Sequence, residues 1–348
     1  MVKHIEGVVV ELLQPKDLHK FQSFIREHWR KDHIFVQDTS IFDFQHKSLN
    51  HYHYMVAKHD EELLGVHGVI PQMQFDGYLP RNQIFLGLWK VLDTESVGTG
   101  ILLYQNILDE YEPDFIGAIG YNEQVLPFYV WQGFEVGIMK HHFILSPNKT
   151  VFKIAKVPSP IYGQNINGAS NISYKLIAES DLDDLDTSRI YLHQIPSKSD
   201  AYIVKRFMNH PMYKYHVYAI TDADQVLAIC VIRPILQDAS IVLRFVDFVG
   251  ANDVFALLGK FALSLLEEYQ AEYMDLYSYG VPIDLIEKAG FLNRQEYDGL
   301  VIPNYFEPFE RKNIDLRYAY KTTQTHDSVR LFKSDGDQDR PNMISRCL

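Results

Sequence analysis

"SVGTGILLYQNIL", Ser96 to Leu108, is the stretch that decides how this chain is read. Two glycines, Gly98 and Gly100, stand at the mouth of an apolar run with helical spacing, directly after the strand-like "NQIFLGLWKVL" (82–92). A helix N-terminus leaves backbone N–H groups unpaired and carries partial positive charge. Glycine lets an anion approach those amides because no Cβ intervenes. The turn is therefore a candidate phosphate cradle, although glycine at a tight strand-to-helix turn is more often plain turn chemistry. No Gly-Lys-Ser/Thr follows, as a P-loop requires, and no dinucleotide fingerprint completes.

Outward from this turn the elements alternate. "DLHKFQSFIREHWR" (17–30) has helical spacing, "HYHYMVAKH" (51–59) and "ELLGVHGVIPQMQF" (62–75) read as paired strands, and "DFIGAIGY" (114–121) reads as a buried strand. "EQVLPFYVWQG" (123–133) follows as a helix and "FEVGIMKHHFIL" (134–145) as a strand that closes this half. A stretch broken by Pro, Gly, Asn and Ser comes next, after which the same order recurs. The expected fold is layered α/β (α+β in detail), with two tandem domains, each a mixed central sheet flanked by helices. The expected boundaries are 1–148, a linker 149–172, a second domain 173–325 and a tail 326–348.

Composition narrows the function. The 348 residues, 47% hydrophobic, suffice for two cores. A formal charge of -12 without a Lys/Arg cluster speaks against nucleic acid or an anionic membrane as partner. The only two cysteines, Cys230 and Cys347, exclude a disulfide framework and a cysteine zinc site. No His-x-x-x-His pair with a carboxylate suggests a metal, and none is expected. With no apolar run of eighteen residues and no signal-like N-terminus, a cytoplasmic protein is expected.

The segment "GYNEQVLPFYVWQGF" (120–134) adds Asn122, Phe128, Tyr129, Gly133 and Phe134 downstream of the glycine turn. Together, over about Gln83 to Leu145, these residues resemble the acyl-CoA-binding half of the GCN5-related N-acetyltransferase (GNAT) superfamily. The resemblance implies that amides of Ser96, Val97, Gly98, Thr99 and Gly100 hold the diphosphate of coenzyme A. It also implies that the strand end at Val91 and Leu92 splays to pair with pantetheine, that Asn122 helps hold the cofactor, and that Tyr129 is the general acid for the departing thiolate. Glu95 stands where the family has Gln or Arg, which removes a side-chain contact and leaves the amides. In the second half Ile286 replaces the tyrosine, and Gly250 has no second glycine after it, so a single acyl-CoA site in the first half is expected.

The tandem arrangement and the tail resemble N-acyltransferases of nucleotide-linked amino sugars. This implies transfer of an acetyl or 3-hydroxybutanoyl group to a substrate such as dTDP-3-amino-3,6-dideoxy-D-galactose, in surface polysaccharide synthesis. Candidate bases are His33 and His67, whose ordinary pKa suits the role, with Asp93 and Glu95 acting through water as alternatives. Trp29, His33, Asp337, Asp339 and Arg340 are the candidate acceptor contacts. Two other classes share the pattern: an aminoacyl-tRNA-dependent transferase, which would need a basic channel, and a non-catalytic acyl-CoA-binding protein.

Overall fold

The computed structural model describes residues 7–92, 98–158, 161, 172–191, 194–223, 225–324 and 329–344. The chain divides into two compact units, one of Met1–Glu135, Ala319–Gln324 and Gly336–Leu348, the other of Val136–Tyr318 and Thr325–Asp335.

In the first unit β1 (Val8–Leu13), β2 (Tyr52–His59), β3 (Glu62–Pro71) and β4 (Gln83–Val91) form an antiparallel series, and β5 (Phe115–Ile119) joins β4 in parallel. The strand Arg317–Thr322, most of it in this unit, lies on the far side of β5. Three helices, α1 (Leu18–His28), α2 (Ile34–Gln37) and α3 (Thr39–His46), lie between β1 and β2 in the chain. The apolar spacing of α1 buries Phe21, Phe24 and Ile25 in one cluster with Phe35 and Phe42 of the next two helices and Tyr54, Val66 and Leu88 of the sheet. Short α2 and α3 gave no long period to read, but their starts are capped: His33 Nδ1 accepts from Phe35 N (3.3 Å), and the Asp38 carboxylate accepts from Ser40 N (2.7 Å). The parallel crossover from β4 to β5 is α4 (Thr99–Tyr111), and α5 (Leu126–Trp131) follows β5.

The register of β4 carries the feature on which the site depends. His67 pairs with Trp89 and Val69 with Leu86, so one residue of β3, Gly68, faces two of β4, Gly87 and Leu88. This β-bulge bends β4 and increases its twist. The parallel register with β5 ends at Leu86↔Ala118, one residue before the bulge, while β4 runs on to Val91. The two strands part at that point.

β6 (Glu135–Ile138) carries the chain out of the first unit. The second unit's sheet orders β7 (Lys140–Leu145), then in spatial sequence β12 (Tyr273–Tyr279), β11 (Ser240–Gly250), β10 (Gln225–Gln237), β9 (His216–Asp222) and β8 (Ile172–Leu176). β11 and β12 are parallel, and Phe261, Ala262, Leu265 and Leu266 of the helix Gly259–Glu268 pack in the core with them. β11 repeats the bulge: Val231↔Asp247 is followed by Ile232↔Phe245, which leaves Val246 extra, and the parallel register with β12 ends at Phe245↔Leu276. The duplicated architecture expected from the sequence is thus visible in register.

Three expectations change. Strand 140–145, expected to close the first half, pairs instead with β12, because Phe143 and Ile144 bury against apolar residues of the second unit, among them Tyr273 and Met274. The second unit therefore begins at Val136 and not beyond 148, and the tail from 326 is divided at Asp335/Gly336. "ESDLDDLDTSRIYL" (179–192), whose sequence reads as a helix, instead opens with a 3-10 turn, Glu179–Asp184, in which only Leu182 is buried, too short and too little packed to sustain an amphipathic helix. Among the described residues no helix is long and apolar enough to cross a membrane, and no cluster of His, Cys, Asp and Glu has metal-binding geometry.

Candidate active site

Two glycines open α4 for two different reasons. Gly98 is the N-cap at φ 105°, a left-handed conformation, and a side chain there would meet open space. At Gly100 an added carbon would lie 2.9 Å from Trp89 Cζ2, so the indole of β4 packs directly under the first turn. Gly98→Ala is expected to cost about 1–2 kcal/mol through backbone strain alone. A urea midpoint that does not move would show that the turn relaxes freely.

Between this turn and α5 lies a pocket of about 380 Å³, lined by Trp89 and Val91 of β4, Gly98, Thr99, Gly100 and Ile101 of α4, and Gln124, Val125 and Phe128 near α5. Its walls are an aromatic series: His67 stacks on Trp89 (4.5 Å, 4°), and Trp89 meets Phe128 edge to face (5.1 Å). One side is apolar, and the other is the positive end of a thirteen-residue helix. Such a cavity suits a ligand with an anionic group and an apolar arm.

The residues singled out from sequence fall as follows. Val91, Gly98, Thr99 and Gly100 line the pocket. Ser96, Val97, Asp93 and Glu95 lie outside the described residues. Leu92 N donates to Leu64 O (2.9 Å), so that amide is spent on β3. The Asn122 side chain accepts from Gln124 N (3.1 Å) and caps the turn before α5. Tyr129 is buried one residue beyond the pocket-lining Phe128, against Tyr121 (4.8 Å) and Phe134 (5.0 Å). Burial, reinforced by Tyr121, pushes its phenol far above the ordinary value, so it carries its proton at every physiological pH.

The candidate bases are held neutral. Burial, with Arg340 and Arg30 adding repulsion, lowers His33 to about 2, and its ring is engaged as the cap of α2. Burial lowers His67 to about 3, and neither ring nitrogen has a hydrogen-bond partner among the described residues. Neither is poised near neutrality as a general base. Trp29 ends α1 and is half-exposed. Asp337 and Arg340 pair with each other (3.0 Å), Arg340 lies 4.7 Å over the Phe35 ring, and Asp339 is buried. Gly336 lies against Phe85 of β4, and the Gln338 side chain lies over Gly120, just past β5, so the tail spans the two diverging strands.

The corresponding place in the second unit is filled by the chain itself. Leu331–Phe332 pairs antiparallel with the end of β12 (Ser278↔Phe332, Tyr279↔Leu331) beyond the point where β11 and β12 part. Ser334 N donates to the carbonyl of the bulge residue Val246 (3.1 Å), and Arg330 Nη1 donates to Gly250 O (2.5 Å) and to Asn252 Oδ1 (3.1 Å), at the turn that replaces the glycine turn. Lys198, fully buried, anchors the segment through Asp335 (3.1 Å) and Asp247 (2.6 Å). Ile286, at the position matching Tyr129, is a buried core residue. What sequence reading missed is this self-occupation, whose partners, such as Lys198 with Asp335 and Gly250 with Arg330, lie far apart in the chain.

No protein-family model matches the sequence, and no curated protein sequence does. Solved structures match in fold. A GCN5-related N-acetyltransferase from Anabaena variabilis is 12% identical, covering 91% of this chain and 73% of its own, with a TM-score of 0.57. A conserved Enterococcus faecalis protein described as a "Probable N-Acyltransferase" is 9% identical over 82% of this chain and 70% of its own, with a TM-score of 0.52. The fold is that of the GCN5-related N-acetyltransferases. At these identities the likeness is one of fold, and it extends over both units. Saccharomyces cerevisiae N-myristoyltransferase with bound myristoyl-CoA matches more loosely, at 8% identity over 92% and 80% of the two chains with a TM-score of 0.48.

Proposed function

We propose that the protein is an acyl-CoA-dependent N-acyltransferase with a single donor site in the first unit. The observation that carries this reading is the parting of β4 from β5 at the Gly87–Leu88 bulge, beside the glycine-opened N-terminus of α4. The diphosphate of coenzyme A lies on the first amides of α4, and the pantetheine arm runs along Val91 and Trp89 into the gap between the strands. The second unit's gap is closed by residues 329–335, so it takes no donor.

Transfer is direct. The acceptor nitrogen attacks the thioester carbon, the C–N bond forms, the C–S bond breaks, and the thiolate takes a proton from Tyr129, whose phenolate recovers through water the proton that the new amide nitrogen gives up. A backbone amide at the bulge polarises the thioester carbonyl. An amine that arrives neutral needs no strong base, in keeping with the low pKa of His33 and His67.

The acceptor we propose is a nucleotide-linked amino deoxy sugar. What supports it is the position of Gly336 to Arg340 across the diverging strands, where sugar hydroxyls and a phosphate would meet Asp337, Asp339 and Arg340. Acetyl- and 3-hydroxybutanoyl-CoA assayed for thiol release against a panel of nucleotide-linked amino sugars and simple amines test both parts. Release with an amino sugar supports the full reading, and release with another amine keeps the enzyme but replaces the acceptor. Coenzyme A binding without release from any amine leaves a non-catalytic acyl-CoA-binding protein.

A further inference from the structure

Tyr54 is fully buried on β2, and among the described residues its hydroxyl has no hydrogen-bond partner. Buried polar atoms in native proteins are nearly always paired, and leaving one unpaired is costly. Packing explains where the ring lies, against Phe21 (4.8 Å), His46 (4.8 Å) and Phe42 (5.4 Å), but a phenylalanine would pack as well.

The hydroxyl stands at a particular place. A carbon added to Gly68 would lie 2.6 Å from Tyr54 Cζ and 2.7 Å from its oxygen, so the phenol rests directly on the backbone of Gly68. Gly68 is the β3 residue that faces the bulge of β4, and a carbon on Gly87 of that bulge would in turn lie 3.6 Å from Gly68 O. The phenol covers Gly68, and beside it across the bulge a carbon on Gly87 would have only Gly68 backbone atoms as its nearest neighbours, at 3.6–3.8 Å, so bare backbone lies next to the hydroxyl where β4 leaves β5. The Asp337 carboxylate and the Arg340 guanidinium act on the same phenol, which burial and then Asp337 hold well above its ordinary value.

We propose that Tyr54 positions the acceptor, its hydroxyl accepting a hydrogen bond from the attacking amine while the amine lies over Gly87, next to the thioester at the bulge. This rests on the donor reading given above. The missing partner of the phenol is then the substrate, and its desolvation in the free protein is a stability sacrificed for function.

The test is Tyr54→Phe, which keeps the ring and removes only the hydroxyl. Removing an unpaired buried hydroxyl leaves the fold as stable or more so, and the urea midpoint reads this directly. With the amine that turns over best in the thiol-release panel, kcat/KM for the amine is expected to fall about 10–100-fold, the loss of one hydrogen bond to a polar or charged group. Affinity for acyl-CoA is expected to stay the same, as calorimetric titration measures. Unchanged amine kinetics in a stable variant overturn the proposal and leave the donor reading standing. Absence of acyl-CoA binding to the wild-type protein removes the donor reading and this proposal with it, and donor binding without turnover of any amine removes this proposal alone.

Discussion

Replacing Tyr129 by phenylalanine is expected to lower the rate of acyl transfer by about 10²–10⁴, the usual contribution of a positioned general acid, with acyl-CoA affinity unchanged. The phenol is packed between Tyr121 and Phe134 and is protonated before transfer. Phenylalanine fits the same aromatic packing, so a fall in rate would report the hydroxyl and not a disturbed core. Single-turnover measurement with bound acyl-CoA separates the chemical step from binding. A rate within twofold of wild type would reduce Tyr129 to a core aromatic and move the proton source to water.

Acidification is expected to unfold the protein well above the range where carboxylates titrate. His33, His46 and His67 in the first unit are held at about 2, 3 and 3, chiefly by burial, and His141 and His142 of β7 at about 4 for the same reason. In the unfolded chain each titrates near 6.5. Below that pH the unfolded state binds protons that the folded state refuses, so the stability present above about pH 6.5 is lost as pH falls toward the folded values. Each histidine contributes a slope approaching 1.4 kcal/mol per pH unit, roughly 3–4 kcal/mol per unit for the three in the first unit, against a total domain stability of about 5–15 kcal/mol. Urea titrations at pH 7.5 and pH 5 should therefore give a much lower midpoint at pH 5. His67→Phe, which keeps a flat ring against Trp89 and removes one titrating group, should flatten the dependence by one proton. Equal midpoints at the two pH values would mean that these histidines gain protons without unfolding.

How much of this was legible beforehand depends on the range of the interactions. The glycine turn, the crossover helix and the Gly133–Phe134 pair are local patterns; they marked the layered fold, and Gly98 and Gly100 of that turn line a pocket. The reason for Gly100 was not local: it is glycine because Trp89, eleven residues earlier, fills the space beneath it. Gly68 and Gly87 stood in plain view within strand-like runs, yet their meaning comes from a register across two strands with Tyr54 lying over a third. Asn122 and His33 carry the residue types of a binding site and serve as caps, since a short side chain that accepts a backbone N–H near its own position needs no distant partner. Strand 140–145 could not be assigned to its sheet from alternation, because period-two patterning fixes a face and not a partner. The closing of the second gap by 329–335 depends on Lys198 and Arg330, whose partners lie far along the chain.

The central claim is that one donor site exists and that it lies on the N-terminus of α4. A crystal structure of the protein with coenzyme A tests it most directly. The diphosphate should rest on the amides about Gly98 to Gly100, with the pantetheine along Trp89 and Val91 and the second unit's gap still filled by Leu331 and Phe332. Coenzyme A bound between β11 and β12 with that segment displaced, or bound away from α4 altogether, would contradict it.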